Sequence, residues 1–125
     1  MPQARILLVD DELPLLQLLE KHLLRLGFEV ETHSTSAAAL QRFQAAPANY
    51  DLVIADLGMP DMPGDTLLTR MLEIRPALPI LVCSGAPFYV ANLPEPLANH
   101  VGFLQKPFLP KMLLEAIQRL LVTRD

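Results

Sequence analysis

The sequence predicts an α/β fold, a doubly wound five-stranded parallel sheet in the order 2-1-3-4-5, built as one domain over residues 1–125. Three observations predict it. Apolar runs such as Ile6-Leu7-Leu8-Val9 and Leu52-Val53-Ile54-Ala55 read as strands buried on both faces, the pattern of a sheet whose crossovers cover both sides. Stretches of helical periodicity separate these runs, as in successive βαβ units. Phe28-Glu29-Val30-Glu31 alternates strictly, which gives that strand one wet face and suits it to a sheet edge. Right-handed crossovers leave few orders, and an edge position for the second strand selects 2-1-3-4-5.

Each element follows from local chemistry. Residues 5–10 form the first buried strand. A helix is expected over residues 12–26, with acid in its first turn, Pro14 near its start and Gly27 at its C′ position. Leu15, Leu18, Leu19, Leu23 and Leu26 are expected to fill its buried stripe at 100° per residue, and His22 falls inside that stripe as a packed core histidine. The alternating strand at 28–31 comes next. An alanine-rich helix over 34–46 has a Ser or Thr cap and ends at Pro47. Residues 50–56 form the third strand, and 57–64 a loop punctuated by proline and glycine. A third helix spans 65–75 and stops at Pro76; strands follow at 79–84 and 101–105, and a last helix runs from near Pro110 through Leu121. The segment 86–99 holds Pro87, Pro94 and Pro96. An interior proline costs a helix about 3 kcal/mol. The fourth helix, expected there, is therefore irregular, a short turn, a break and another turn.

Composition narrows the function classes. The net charge of −4 argues against direct binding of nucleic acid, which needs a basic face to neutralise phosphates. No apolar stretch reaches the roughly 18 residues of a membrane span, and the N-terminus lacks the basic and apolar regions of a signal peptide. A cytoplasmic protein is expected. Cys83 is the one cysteine, which excludes an internal disulfide; inside Ile80-Leu81-Val82-Cys83 it reads as a small buried hydrophobe. His33 and His100 read as isolated, solvent-facing or structural residues.

The chemistry concentrates at the carboxyl ends of the strands. The first strand ends in Asp10-Asp11-Glu12, the third in Asp56, the fourth in Ser84-Gly85 and the fifth in Lys106-Pro107. In an open α/β sheet ligands bind outside these ends, at the point where strand order reverses, here between the first and third strands. Asp10, Asp11 and Asp56 would repel one another there unless a cation neutralised them, and hard oxygen ligands of that charge suit Mg²⁺. The set is what moving a phosphoryl group onto a carboxylate requires. Asp56 would be the nucleophile; Asp10, Asp11 and Asp56 would hold the metal, with the Gly58 backbone carbonyl as a further oxygen. Ser84 and Lys106 would each meet a phosphoryl oxygen.

With these residues in place the chain resembles the receiver domain of two-component response regulators over nearly its whole length. The resemblance rests on Asp10-Asp11 after the first strand, the stretch Asp56-Leu57-Gly58-Met59-Pro60-Asp61-Met62-Pro63-Gly64, Ser84, and Lys106-Pro107-Phe108. It implies that Asp56 accepts a phosphoryl group from a phosphohistidine on a histidine kinase or phosphotransfer domain, that the domain turns over no external substrate as an enzyme would, and that the partner docks near the first helix, with Leu13 and Leu16 in its footprint. It further implies a cis Lys106–Pro107 bond and a switch pair of Ser84 and Phe103, with Phe103 standing where many relatives carry Tyr. The wording of residues 79–85 is similar to receivers appended to hybrid sensor kinases.

Departures from the family pattern sharpen the expectations. Gly58 and Ala86 flank the acceptor with no polar side chain, so neither can orient a water toward a phosphorylated Asp56. The irregular 86–99 segment argues for a monomer or weak dimer. One alternative is a Mg²⁺-dependent phosphohydrolase with an aspartyl nucleophile; such enzymes usually place two aspartates two residues apart after the first strand, where this chain has Asp10 and Glu12, and the chain has no cap domain. A degenerate receiver that only binds partners is the other. Nothing beyond Leu121 provides a DNA-binding or catalytic output, so the chain reads as a stand-alone receiver or as part of a longer protein.

Overall fold

Three apolar segments become central strands because both of their faces are covered, and two more polar segments flank them at the edges. In the computed structural model, which describes residues 4–62, 64–85 and 100–122, these are β1 (Arg5–Val9), β2 (Glu29–His33), β3 (Leu52–Asp56), β4 (Ile80–Ser84) and β5 (Val101–Gln105). Helices α1 (Leu13–Arg25), α2 (Ser36–Ala45), α3 (Gly64–Ile74) and α4 (Pro110–Val122) alternate with them, and a short 3₁₀ turn, Pro47–Asn49, precedes β3. The sheet is parallel throughout in the order β2-β1-β3-β4-β5, as predicted. The irregular fourth helix expected over 86–99 lies outside the described residues.

The two-residue period of the strands sorts the core into two layers. Leu7, Val9, Val53, Ala55, Ile80 and Val82 pack against Leu40 and Phe43 of α2 and Leu67 and Met71 of α3. Ile6, Leu8, Leu52, Ile54, Leu81 and Cys83 pack against Leu16, Leu19 and Leu23 of α1 and Leu113 and Ile117 of α4. A fully buried side chain of this size contributes about 1.5–3 kcal/mol, so these layers carry the fold. Cys83 is buried as expected, and its burial pushes the thiol pKa up to about 12.

Four readings of the first helix need correction. The buried stripe of α1 is Leu16, Leu19 and Leu23, whereas Leu18 and Leu26 are 63% and 41% exposed. Leu16 therefore belongs to the core and cannot join a partner's footprint. Leu18 lies 200° around the helix from Leu16, outside the arc that meets the sheet. His22, half-buried, lines the edge of that arc beside Leu15 and Leu18 rather than the core. Glu12 also falls outside the helix: it is the N-cap, in extended conformation, and makes no side-chain cap. Gly27 closes α1 with a φ of 95°, the left-handed C′ position expected of it.

The β2 strand is an edge, but its polar face is not simply wet. Glu31 is 17% exposed because Arg5 Nη2, His33 Nε2 and the Tyr50 hydroxyl surround its carboxylate at 3.1, 2.8 and 2.9 Å, with Arg42 Nε at 3.4 Å. His33 is thus a partner of Glu31 and not an isolated residue.

Candidate functional site

The registers bring the strand ends level. Val9 pairs with Ala55, Asp56 with Cys83 and Ser84 with Gln105, so Asp10, Asp56, Ser84 and Lys106 emerge along one edge of the sheet. Asp10 and Asp56 lie where the chain's winding reverses between β1 and β3. Both are buried, at 3% and 7% exposure, whereas Asp11 is exposed. One carboxylate oxygen from each of Asp10, Asp11 and Asp56 lies within 4.8 Å of the others, an all-oxygen donor set of the kind a hard divalent cation takes. The residues fit Mg²⁺ by number, charge and ligand type.

Lys106 supplies the opposite charge. Its ammonium donates to Glu12 Oε1 at 2.8 Å, Asp10 Oδ2 at 2.9 Å and Asp56 Oδ2 at 3.4 Å. Its peptide bond to Pro107 is cis, as predicted. Burial disfavours the charge on Lys106, but the hydrogen bonds to Glu12 and Asp10 and the charges of Asp10 and Asp56 outweigh it and raise the pKa above 10.5. Burial raises the pKa of Asp10, and the Glu12 backbone N–H and Lys106 offset it only in part. The carboxylate pair is therefore held by one lysine at some desolvation cost.

Ser84 is 4% exposed, and its carbonyl accepts the Lys106 N–H at 2.8 Å, which ties the ends of β4 and β5 together. Gly58 donates its backbone N–H to Asp56 Oδ1 at 3.1 Å. Phe103 is half-buried against the core layer of α2 and α3, the side of the sheet that also carries Val82. Ala86 lies outside the described residues.

A family model described as the response regulator receiver domain matches residues 6–118. The chain belongs to this family. It is similar to the DNA-binding transcriptional regulator NtrC of Azospirillum brasilense, 36% identical over 97% of this chain and 25% of that protein. It is similar to the response regulator receiver protein CpdR of Brucella abortus, 31% identical over 94% of this chain and 97% of that one. The crystal structure of the receiver domain of the hybrid histidine kinase CckA superposes with a TM-score of 0.80 at 29% identity, covering 94% of this chain and 99% of that one. The chain thus spans a quarter of the NtrC relative's length and nearly all of the CpdR relative's.

Two parts of this receiver's site were not apparent in the sequence. Glu12 was read only as an acid in the first turn of the helix, yet its side chain reaches Lys106. Asp61, read only as part of the loop motif, anchors that loop: its two carboxylate oxygens accept the N–H groups of Ser36 and Ala37 at 3.1 and 2.9 Å, while Ser36 Oγ donates to the Met62 carbonyl at 3.2 Å. Those backbone bonds hold the Asp61 pKa below 3.8. The acidic loop residue and the helix start were both visible, but only the fold brings them together. Beside the carboxylates a groove of about 560 Å³ is lined by Glu12, Leu15, Leu18, His22, Lys106 and Phe108. No helix among the described residues is long and apolar enough to cross a membrane.

Proposed function

We propose that this receiver accepts a phosphoryl group on Asp56 from the phosphohistidine of a histidine kinase or phosphotransfer domain. The observation that carries this reading is the meeting of Asp10, Asp11 and Asp56 with the Lys106 ammonium at the reversal point of the sheet. An Asp56 oxygen attacks phosphorus in line; the P–N bond breaks and its electron pair returns to the donor imidazole. Asp10, Asp11 and Asp56 would hold Mg²⁺, with the Gly58 carbonyl as a further ligand. The metal, when bound, neutralises charge on the phosphoryl oxygens. Lys106 meets one of those oxygens as a point charge, and Ser84 donates to another. Phe103 repacks with Ser84 as the state changes.

The domain is a phosphoacceptor that assists its own phosphorylation and dephosphorylation, working in the cytoplasm and turning over no external substrate. Its partner docks against α1, over the groove that Leu18, 63% exposed, lines and beside Leu13, which is 53% exposed at the start of the helix. The resemblance to the receiver of a hybrid kinase supports a place in a phosphorelay.

Incubation with a ³²P-labelled phosphohistidine donor and Mg²⁺ tests the reading. The expected result is stoichiometric labelling that is acid-stable and base-labile, and absent from Asp56→Asn or in the presence of EDTA. Turnover of a small phosphate ester would instead make the protein a phosphohydrolase.

A further inference from the structure

The three donors of the Lys106 ammonium already face three carboxylate acceptors, on Glu12, Asp10 and Asp56. A lysine has no fourth donor. A phosphoryl group on Asp56 brings new oxygens to this place, so Lys106 can bond one of them only by releasing an acceptor. The three acceptors differ in what release costs. Asp56 itself carries the phosphoryl group, so its 3.4 Å contact passes to the new oxygens, whereas the Asp10 side chain is 4% exposed and its oxygen has little water to replace the lysine. The Glu12 side chain is 59% exposed, and water takes over its hydrogen bond. Yet the Glu12 contact is the shortest of the three, at 2.8 Å against 3.4 Å to Asp56.

We propose that Glu12 is a positioning residue, which draws Lys106 toward the start of α1 in the unphosphorylated protein and is the partner that Lys106 gives up when Asp56 carries a phosphoryl group. This inference rests on the reading of Asp56 as the phosphoacceptor. The local structure prepares Glu12 for the role. Its backbone N–H donates to Asp10 Oδ1 at 2.9 Å while Asp10 Oδ2 takes Lys106, so a single carboxylate sets the separation of Glu12 from the lysine. Glu12 also makes no side-chain cap on α1, although it occupies the N-cap. Glu12 lines the groove with Leu15 and Leu18, so the latch lies at the mouth of the site, where an incoming donor arrives.

Glu12 competes with the phosphoryl group for Lys106, and its removal therefore speeds phosphorylation. The experiment measures the rate constant of phosphorylation by acetyl phosphate with Mg²⁺ in wild type, Glu12→Gln and Glu12→Ala, with melting curves to verify folding. A rise of about two- to fivefold is expected, the scale of one exposed ion pair. The same substitutions are made in a Lys106→Met background, and beryllofluoride affinity repeats the cycle at equilibrium where phosphorylation of that background is slow. A latch acting through Lys106 loses its effect there. A general gain from removing one negative charge, or a change in helix stability, persists. Unchanged rates in the single variants, or an equal rise in both backgrounds, would overturn the proposal while wild-type labelling at Asp56 leaves the phosphoacceptor reading intact. Failure of the wild type to label at Asp56 overturns both.

Discussion

Gly58 stands exposed beside Asp56, and a Cβ added to it would meet the two carboxylate oxygens of Asp56 at 3.8 Å, an ordinary van der Waals distance. There is room for a side chain next to the acceptor, and this chain places none there. A water attacking a phosphorylated Asp56 therefore gets no orienting group from position 58. Gly58→Asn supplies an amide able to hold that water, and one added hydrogen bond of about 1 kcal/mol corresponds to a rise of about fivefold in spontaneous dephosphorylation. Decay of labelled protein after removal of the donor measures it. An unchanged decay rate would show that the residue at position 58 does not control attack on the phosphoryl group. Lys106 obeys the opposite logic: its neighbours are crowded, and the question there is which of three acceptors it can spare. Both residues show a site limited by which hydrogen-bonding groups are near Asp56, not by the strength of any one contact.

At the level of elements, α1 presents one buried and one exposed leucine face. Leu16 is 5% exposed in the layer beneath the helix, and Leu16→Ala should destabilise the domain by about 2–5 kcal/mol, read by urea or thermal unfolding. Leu18, 63% exposed on the groove side, should behave in the reverse way. Leu18→Glu is expected to slow phosphotransfer from a phosphohistidine protein about tenfold, the scale of a modest interface residue at 1.4 kcal/mol, with no loss in melting temperature or in the rate from acetyl phosphate. Equal slowing with both donors would place Leu18 in the chemistry and remove it from docking. The contrast explains what the sequence could reveal. The strands were legible because an apolar run flanked by turns has one reading in a two-sided sheet, and the strand-end acids followed from it. The face of α1 was not, because leucines occupy positions 13, 15, 16, 18, 19, 23, 24 and 26. Such a pattern permits several stripes, and only packing against β1 and β3 selects Leu16, Leu19 and Leu23. The role of Glu12 was hidden for a related reason: it was read only as an acid in the first turn of the helix, and a lysine 94 residues away is invisible to local pattern.

Across the whole molecule, the charged groups divide between two ends of the pH scale. The hub at β2 holds the Glu31 pKa at about 2, against an ordinary 4.5; burial pushes it up, and the hydrogen bonds from His33, Arg42, Tyr50 and Arg5 outweigh that. A carboxylate whose folded pKa is depressed contributes stability that is whole above the unfolded value and is lost as pH falls through the folded one. Glu31 therefore stabilises the fold above pH 4.5 and ceases to do so toward pH 2. Solvent screening leaves the contribution on the order of 1–2 kcal/mol. Asp61 adds to the same limb below its ordinary 3.8. Asp10 acts in the opposite sense: burial raises its pKa, so folding favours the protonated form, and acid eases the desolvation of this carboxylate while it weakens the β2 edge. Lys106, raised above 10.5, keeps its contribution whole below that value and loses it as pH climbs past it. Unfolding by urea between pH 6 and pH 2 should show a loss of stability that Glu31→Gln flattens and Asp10→Asn does not. If Glu31→Gln retained the full acid slope, the weak point would lie outside the β2 hub. A slope abolished by Asp10→Asn would move it to the site itself.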